Sequence, residues 1–341
     1  MEESADASTV ALKATPARVR VIVPAAGAGK ALRPCVEALL LALEGLDGEL
    51  VVVDEGGNSW LPGPPSRVVE GPGLRSAAAA RNAGVKGAEP VDLFIFVDAD
   101  VVVAPDALRW LVEAVSGGAD AAVGRYGIDV EGLSFAAAYK HLYLAHVYSR
   151  RSGPLRDEFW TALGAVRAEV FHRVGGFAED FKGAAGEDTE FGQRLGAAAA
   201  VVMAEPRAVG RHLKEHSLRS LVENDLRKGV TSVRVILGGG RRLHDFRHAG
   251  RRDMLAVGLS GAALGAALLG PVFPPALLGS GGALVGWAIC RAELARAFAG
   301  QPLSFRAAAA PTMFLLDLVR GFALVGGLAS MGVERLRGAG R

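Results

Sequence analysis

The sequence predicts an α/β protein built on a mainly parallel sheet and followed by C-terminal transmembrane helices. Three observations predict it. Strand-like and helix-like segments alternate through about the first 125 residues, as a parallel sheet with crossover helices requires. Leu93 to Val103, LFIFVDADVVV, is apolar without alternation, as in a strand buried on both faces, and is interrupted by two carboxylates, Asp98 and Asp100. From Met254 to Cys290 there is no charged residue at all.

Each element follows in order. Met1 to Ala17 carries acids and no basic apolar leader, so it reads as a disordered tail. Arg18 to Pro24, RVRVIVP, is a β-branched strand; a turn, Ala25 to Lys30, and a periodic helix, Ala31 to Leu43, follow it. Gly27 and Gly29 either let the backbone approach a phosphate at the helix N-terminus or make a plain tight turn. Glu49 to Asp54 is a second strand ending in Asp54 and Glu55, acids able to accept hydrogen bonds from a ribose or base, or to cap a turn.

A Pro-rich loop, Leu61 to Pro65, leads to a short strand at Val68 and Val69. An alanine-rich helix then presents Arg81, Asn82 and Lys86, where an arginine can fork onto a diphosphate or lie on a solvated face. The Leu93 to Val103 strand puts Asp98 and Asp100 at the edge where open α/β sheets bind ligands. Two crowded carboxylates there suit Mg²⁺ or Mn²⁺, unless they only shape a turn. Pro105 to Val115 is a helix and Ala121 to Val123 a strand. Phe159 to Val166 is another strand and Arg167 to Val174 a helix. Glu187 and Asp188 open an amphipathic helix with Phe191 and Leu195 on one face, as dipole partners or as a general base.

The segments VRVIVP, ELVVVDEGGNS, SAAAARNAGV, FIFVDAD, VRAEVFHRVGGF and GEDTEFGQRL, in that order from Arg18 to Gly196, resemble the family 2 glycosyltransferases of the GT-A fold, a Rossmann-like α/β domain. The resemblance implies a nucleotide-diphosphate sugar as donor, a divalent Mg²⁺ or Mn²⁺, and inversion at the anomeric centre. It implies that Pro24, Asp54 and Glu55 line the nucleotide, that Arg81 and Asn82 lie near it, and that Asp98 reaches the ribose and the metal. Asp100 and His212 would bind the metal, and Asp188, beside Glu187, would be the catalytic base. VPAAGAGKALRP departs from the family pattern and instead resembles the loop of nucleotidyltransferases, an alternative that would set Lys30 and Arg33 on a triphosphate.

Length, 341 residues with 50% hydrophobic, allows a full core and more than one domain, and the net charge of +2 hides an uneven distribution. Cys35 and Cys290 are too few and too far apart for a disulfide framework or zinc site, which points to a reducing cytoplasm. Arg211 to Arg252 holds eleven Lys or Arg against four Asp or Glu and suits an anionic membrane surface. Met254 to Gly270 and Pro274 to Cys290 read as a membrane hairpin. Ala307 to Met331 is a third apolar segment, with Asp317 and Arg320 spaced to pair at a helix interface. Basic residues favour the cytoplasm for the loops but leave two or three crossings open.

The expected organisation is therefore a tail at 1–17, a GT-A catalytic domain at 18–210, a basic interfacial segment at 211–253 and a membrane region at 254–333. The expected protein is a multi-pass cell-membrane enzyme with a cytoplasmic catalytic domain. Its partners would be a nucleotide sugar and a lipid-linked or membrane-proximal acceptor, with no nucleic acid.

Overall fold

The computed structural model describes residues 17–73, 76–87, 89–180, 186–238 and 250–338. Almost all of the expected tail and the basic run 239–249 lie outside these.

The first half is as periodicity predicts. Strand β1 (Val19–Ala25) passes through a turn of 3-10 helix, Gly29–Ala31, into α1 (Leu32–Leu43), which buries Leu32, Cys35, Val36 and Leu39 at helical spacing. Then come β2 (Gly48–Asp54), β3 (Arg67–Glu70), α2 (Ala77–Val85), β4 (Leu93–Val97), β5 (Val101–Val103), α3 (Ala107–Ser116) and β6 (Ala121–Tyr126). Helix α4 (Phe135–Ser149), β7 (Gly153–Leu155), β8 (Leu163–Arg167), α5 (Ala168–Arg173), α6 (Glu187–Ala197) and β9 (Val202–His212) complete the sheet domain.

The strand order is β3-β2-β1-β4-β8-β6-β9-β5, with β7 added against β9. The half from β3 to β4 is parallel, as expected of its crossover helices; β8 then enters antiparallel to both β4 and β6, so the second half is mixed. Val21, Ile22, Val51, Val52, Ile95 and Phe96 are fully buried, which accounts for their unbroken apolar runs.

One expected strand is two. Val101 donates its amide to the carbonyl of Asp98, so Asp98-Ala99-Asp100 is a turn; β4 pairs with β1 and β8, while β5 pairs with β9 at the far edge of the sheet. Apolar residues on both sides of the turn hide it in sequence, and only the two Asp residues mark it.

The C-terminal part is helical: α7 (Leu218–Gly238), α8 (Arg251–Leu269), α9 (Ala276–Ala297) and α10 (Leu303–Gly338). Helices α8 and α9 pack as the expected hairpin. Helix α7 lies so close to α10 that a Cβ on Gly229 would stand 2.6 Å from the Ala323 methyl, an approach only glycine permits. A second core, including Tyr139, Leu142, Leu221, Phe298 and Leu316, joins α4 to α7, α9 and α10.

Within the described residues, Arg251–Leu269 and Leu303–Ser330 are long and apolar enough to cross a membrane, with 17% and 33% of their apolar windows buried. The second arm of the expected hairpin, Pro274 to Cys290 on α9, is not among them: α9 runs on to Ala297 and carries Arg291, Glu293 and Arg296 in its second half. These helices leave large apolar side chains exposed, Leu278 at 83% and Ile289 at 71% among them.

Charge, too, links the two parts. Asp317 is fully buried and accepts from Nε and Nη2 of Arg291 (2.7 and 2.6 Å), from Nη1 of Arg320 (3.1 Å) and from the Trp287 indole (2.9 Å). Arg320 reaches on to Asp225 of α7 (2.8 Å), which Lys140 of α4 also meets at 2.8 Å, and Arg291 reaches Asp253 at 2.6 Å. The expected Asp317 and Arg320 pair is thus one link of a chain spanning α4, α7, α8, α9 and α10. Burial pushes the Asp225 carboxyl up, but Lys140 and Arg320 outweigh it and hold that carboxyl well below the usual range.

Candidate active site

Parallel pairing brings the C-terminal ends of β1, β2 and β3 to one edge, where Ala25, Asp54 and Glu70 are in register, and β4 ends beside them at Asp98. A cleft of about 1040 Å³ opens there. Pro24, Glu55, Arg81, Asp98, Asp100, Glu187, Asp188 and His212 all line it; Asp54 and Asn82 do not.

Strand β9 completes the site. It pairs antiparallel with β5, setting Val101 opposite His212, and Leu213 donates its amide to the carbonyl of Asp100 at 2.7 Å. His212 Nε2 therefore lies 3.5 Å from Asp100 Oδ1, with its ring packed 5.4 Å from that of Tyr126. The segment alternates and is broken by Pro206, so β9 is legible only as a weak strand.

Arg81 is not free to meet a diphosphate. It is almost wholly buried and donates Nη2 to Asp98 Oδ1 (2.8 Å) and Nη1 to Glu187 Oε1 (2.9 Å), clamping the two acidic motifs together. Glu187 is equally buried, and its carboxyl is raised by burial and by Asp188, against the pull of Arg81. Asp188, one residue on, is half-buried, faces the cleft and accepts from the Thr189 amide (2.7 Å) and hydroxyl (3.2 Å). The side chain of Asn82 is spent on the backbone of Phe177, at 2.8 and 3.0 Å, and braces the segment that leads to α6.

The sequence profile described as glycosyl transferase family 2 matches residues 20–168. Residues 20–168 are a family 2 glycosyltransferase domain. The fold agrees over a longer span. A mannosyltransferase, PcManGT from Pyrobaculum calidifontis, solved in complex with GDP-Man and Mn²⁺, aligns with 92% of this chain and 88% of its own at 19% identity and a TM-score of 0.51. Such coverage takes in C-terminal helices as well as the sheet. GalNAc-T7 with UDP, GalNAc and Mn²⁺ is similar over 59% of this chain and 44% of that one (15% identity, TM-score 0.45). The catalytic domain of Drosophila beta1,4galactosyltransferase 7 in complex with xylobiose is similar over 58% and 71% (15%, 0.38). No curated protein matches in sequence.

The glycosyltransferase domain also explains its unusual loop. Gly27 has φ +59°, and its amide donates to the carbonyl of Gly56 at 3.0 Å; the Ala28 amide donates to Asn58 Oδ1 at 2.9 Å. Asn58 in turn donates to Asp54 Oδ1 (2.7 Å) and to the Ala25 carbonyl (2.9 Å). The amides of Gly27 and Ala28 are thereby occupied, and the loop is zipped to the end of β2. Asn58 is a site-shaping residue that sequence reasoning missed; its only signal is its place just after the Asp54, Glu55 and double-glycine turn.

A divalent cation fits the donor set. Burial first, and then Asp98, push the Asp100 carboxyl up to about 6, a like-charge cost that a cation would remove. Burial, together with Lys214, Lys228 and Lys140 and against Asp98, brings His212 down to about 4, so its imidazole is neutral and able to ligate at neutral pH. Among the described residues no group of three or more His, Cys, Asp or Glu side chains is placed to hold a metal ion. Asp100 and His212, 3.5 Å apart, are a pair of donors, and Mg²⁺ or Mn²⁺ takes further ligands from substrate phosphate and water.

A pH dependence follows. With no metal bound, folded Asp100 keeps its proton up to about 6 whereas an unfolded Asp releases it near 3.9, so this group's contribution to stability falls as pH rises between those values. A cation binding the carboxylate reverses the sign. The rise in melting temperature on adding Mn²⁺ is expected to be larger at pH 7.5 than at pH 5, in scanning fluorimetry; equal rises would rule Asp100 out as the ligand.

Proposed function

We propose that this protein is a membrane-anchored, metal-dependent, inverting glycosyltransferase that moves a sugar from a nucleotide-diphosphate donor to a hydroxyl of a lipid-linked or membrane-proximal acceptor. One observation carries the reading. The cleft that holds Asp98, Asp100, His212 and Asp188 continues without a break to Met254 and Val257 of α8 and Leu324 of α10, on the two helices apolar enough to cross a bilayer.

Pro24, Glu55 and Asp98 line the end that would take the nucleotide. Asp100 and His212, with Asp98, would hold Mg²⁺ or Mn²⁺, which when bound supplies positive charge to the departing diphosphate. Asp188 accepts the proton of the attacking hydroxyl. The acceptor oxygen forms its bond to the anomeric carbon from the face opposite the diphosphate, and the breaking carbon–oxygen bond leaves its electron pair on the diphosphate. Arg81 holds Asp98 and Glu187 in place without touching the sugar, so Glu187 acts as a brace.

Helices α8 and α10 would anchor the domain at the cytoplasmic face. A donor screen by thermal shift with Mn²⁺ tests this reading, since a bound nucleotide sugar stabilises the fold in proportion to its affinity. At least one nucleotide sugar is expected to shift the melting curve with Mn²⁺ and not with EDTA. Absence of any shift across uridine, guanosine, thymidine and cytidine donors would count against it.

A further inference from the structure

The cleft is also lined by cations that the transfer step does not use. Lys140 comes from α4, Lys214 from just past β9 and Lys228 from α7. Lys140 is satisfied by Asp225 at 2.8 Å. Lys214 and Lys228 are exposed to the cleft, and neither is drawn into an ion pair by a described carboxylate. All three side chains line the same cleft. Gathering like charges in a cleft costs free energy that an anion seated among them would offset. The same cleft carries apolar side chains, Val233, Met254, Val257 and Leu324 on α7, α8 and α10, beside Arg291 and Arg320, whose charges are met by Asp253 and Asp225.

We propose that Lys214 and Lys228, backed by Lys140, form a subsite for the phosphate that joins an acceptor to its lipid, whose hydrocarbon tail leaves between α7, α8 and α10. Unpaired lysines that share one cleft with apolar side chains of three helices match a ligand with a phosphate head and an aliphatic tail. An acceptor bound this way is fixed at one end with its free hydroxyl directed toward Asp188. This inference rests on the glycosyltransferase reading of the cleft. The donor diphosphate offers the same phosphate chemistry, so both sources must be measured.

The test uses the full chain in detergent, with farnesyl monophosphate, farnesol and, separately, GDP and UDP with Mn²⁺ as probes. Wild-type protein is expected to bind farnesyl monophosphate at least about tenfold more tightly than farnesol, and Lys214→Gln/Lys228→Gln to lose about tenfold or more of that affinity while keeping its nucleotide affinity. Lys214→Arg/Lys228→Arg should restore it. Equal binding of farnesol and its phosphate by wild-type protein overturns the proposal without any variant having to fold. Loss of nucleotide affinity with farnesyl monophosphate binding unchanged also overturns it, assigning the lysines to the donor. Failure of wild-type protein to bind any nucleotide with Mn²⁺ is the distinct result that removes the underlying reading.

Discussion

Asp188→Asn is expected to lower kcat by about 10²- to 10⁴-fold, the usual contribution of a general base, with nucleotide-dependent thermal stabilisation retained. The substitution keeps size and keeps an oxygen able to accept from the Thr189 amide and hydroxyl, so the start of α6 should hold its shape. What it removes is the capacity to take a proton. Glu187→Gln is the informative contrast. Glu187 is buried against Arg81 at 2.9 Å, and its loss should lower the melting temperature by leaving the guanidinium half-compensated. Initial rates at saturating donor, beside melting curves of the same preparations, separate the two. A variant at Asp188 with wild-type kcat would show that the base lies elsewhere.

Asp317→Ala is expected to cost about 3–5 kcal/mol of folding stability, the range found when one partner of a buried ion pair is removed. Asp317 has no exposed surface and serves two arginines and an indole. Its loss leaves Arg291 on Asp253 alone and Arg320 on Asp225 alone. Because Asp225 also positions Lys140, the damage reaches the cleft as well as the helix bundle. Thermal melts in detergent would check it, and a fall of under about 1 kcal/mol, the level of an exposed pair, would show that the network does not hold the helices to the catalytic domain.

Those two residues also show what sequence can carry. Asp188 was legible because an acid at the start of an amphipathic helix is a local pattern, and so were β1, β2 and β4, whose unbroken apolar runs follow from burial on both faces. Asp317 and Arg320 were legible as a pair from helical spacing, but Arg291 is 26 residues from Asp317, and no local rule joins them. Helix α4 is buried nearly all round between the sheet and the C-terminal helices, so it shows no polar face for periodicity to find. Arg81 was read as a ligand for phosphate because an exposed helix face and a buried clamp look alike until partners on β4 and α6 are placed. Lys228 went unremarked for the same reason: it is carried into the cleft by α7, an element that returns to the sheet edge from far along the chain.

The central claim is that a metal-assisted sugar-transfer site and a membrane acceptor share one cleft. Membranes or detergent-solubilised full-length protein, incubated with sugar-labelled nucleotide donors, a polyprenyl-phosphate-linked lipid extract and Mn²⁺, test it most directly. The account predicts label in the organic phase and stoichiometric nucleoside diphosphate in the aqueous one, both lost with EDTA and with Asp188→Asn. Label confined to water-soluble products, or release of pyrophosphate in place of a nucleoside diphosphate, would contradict it.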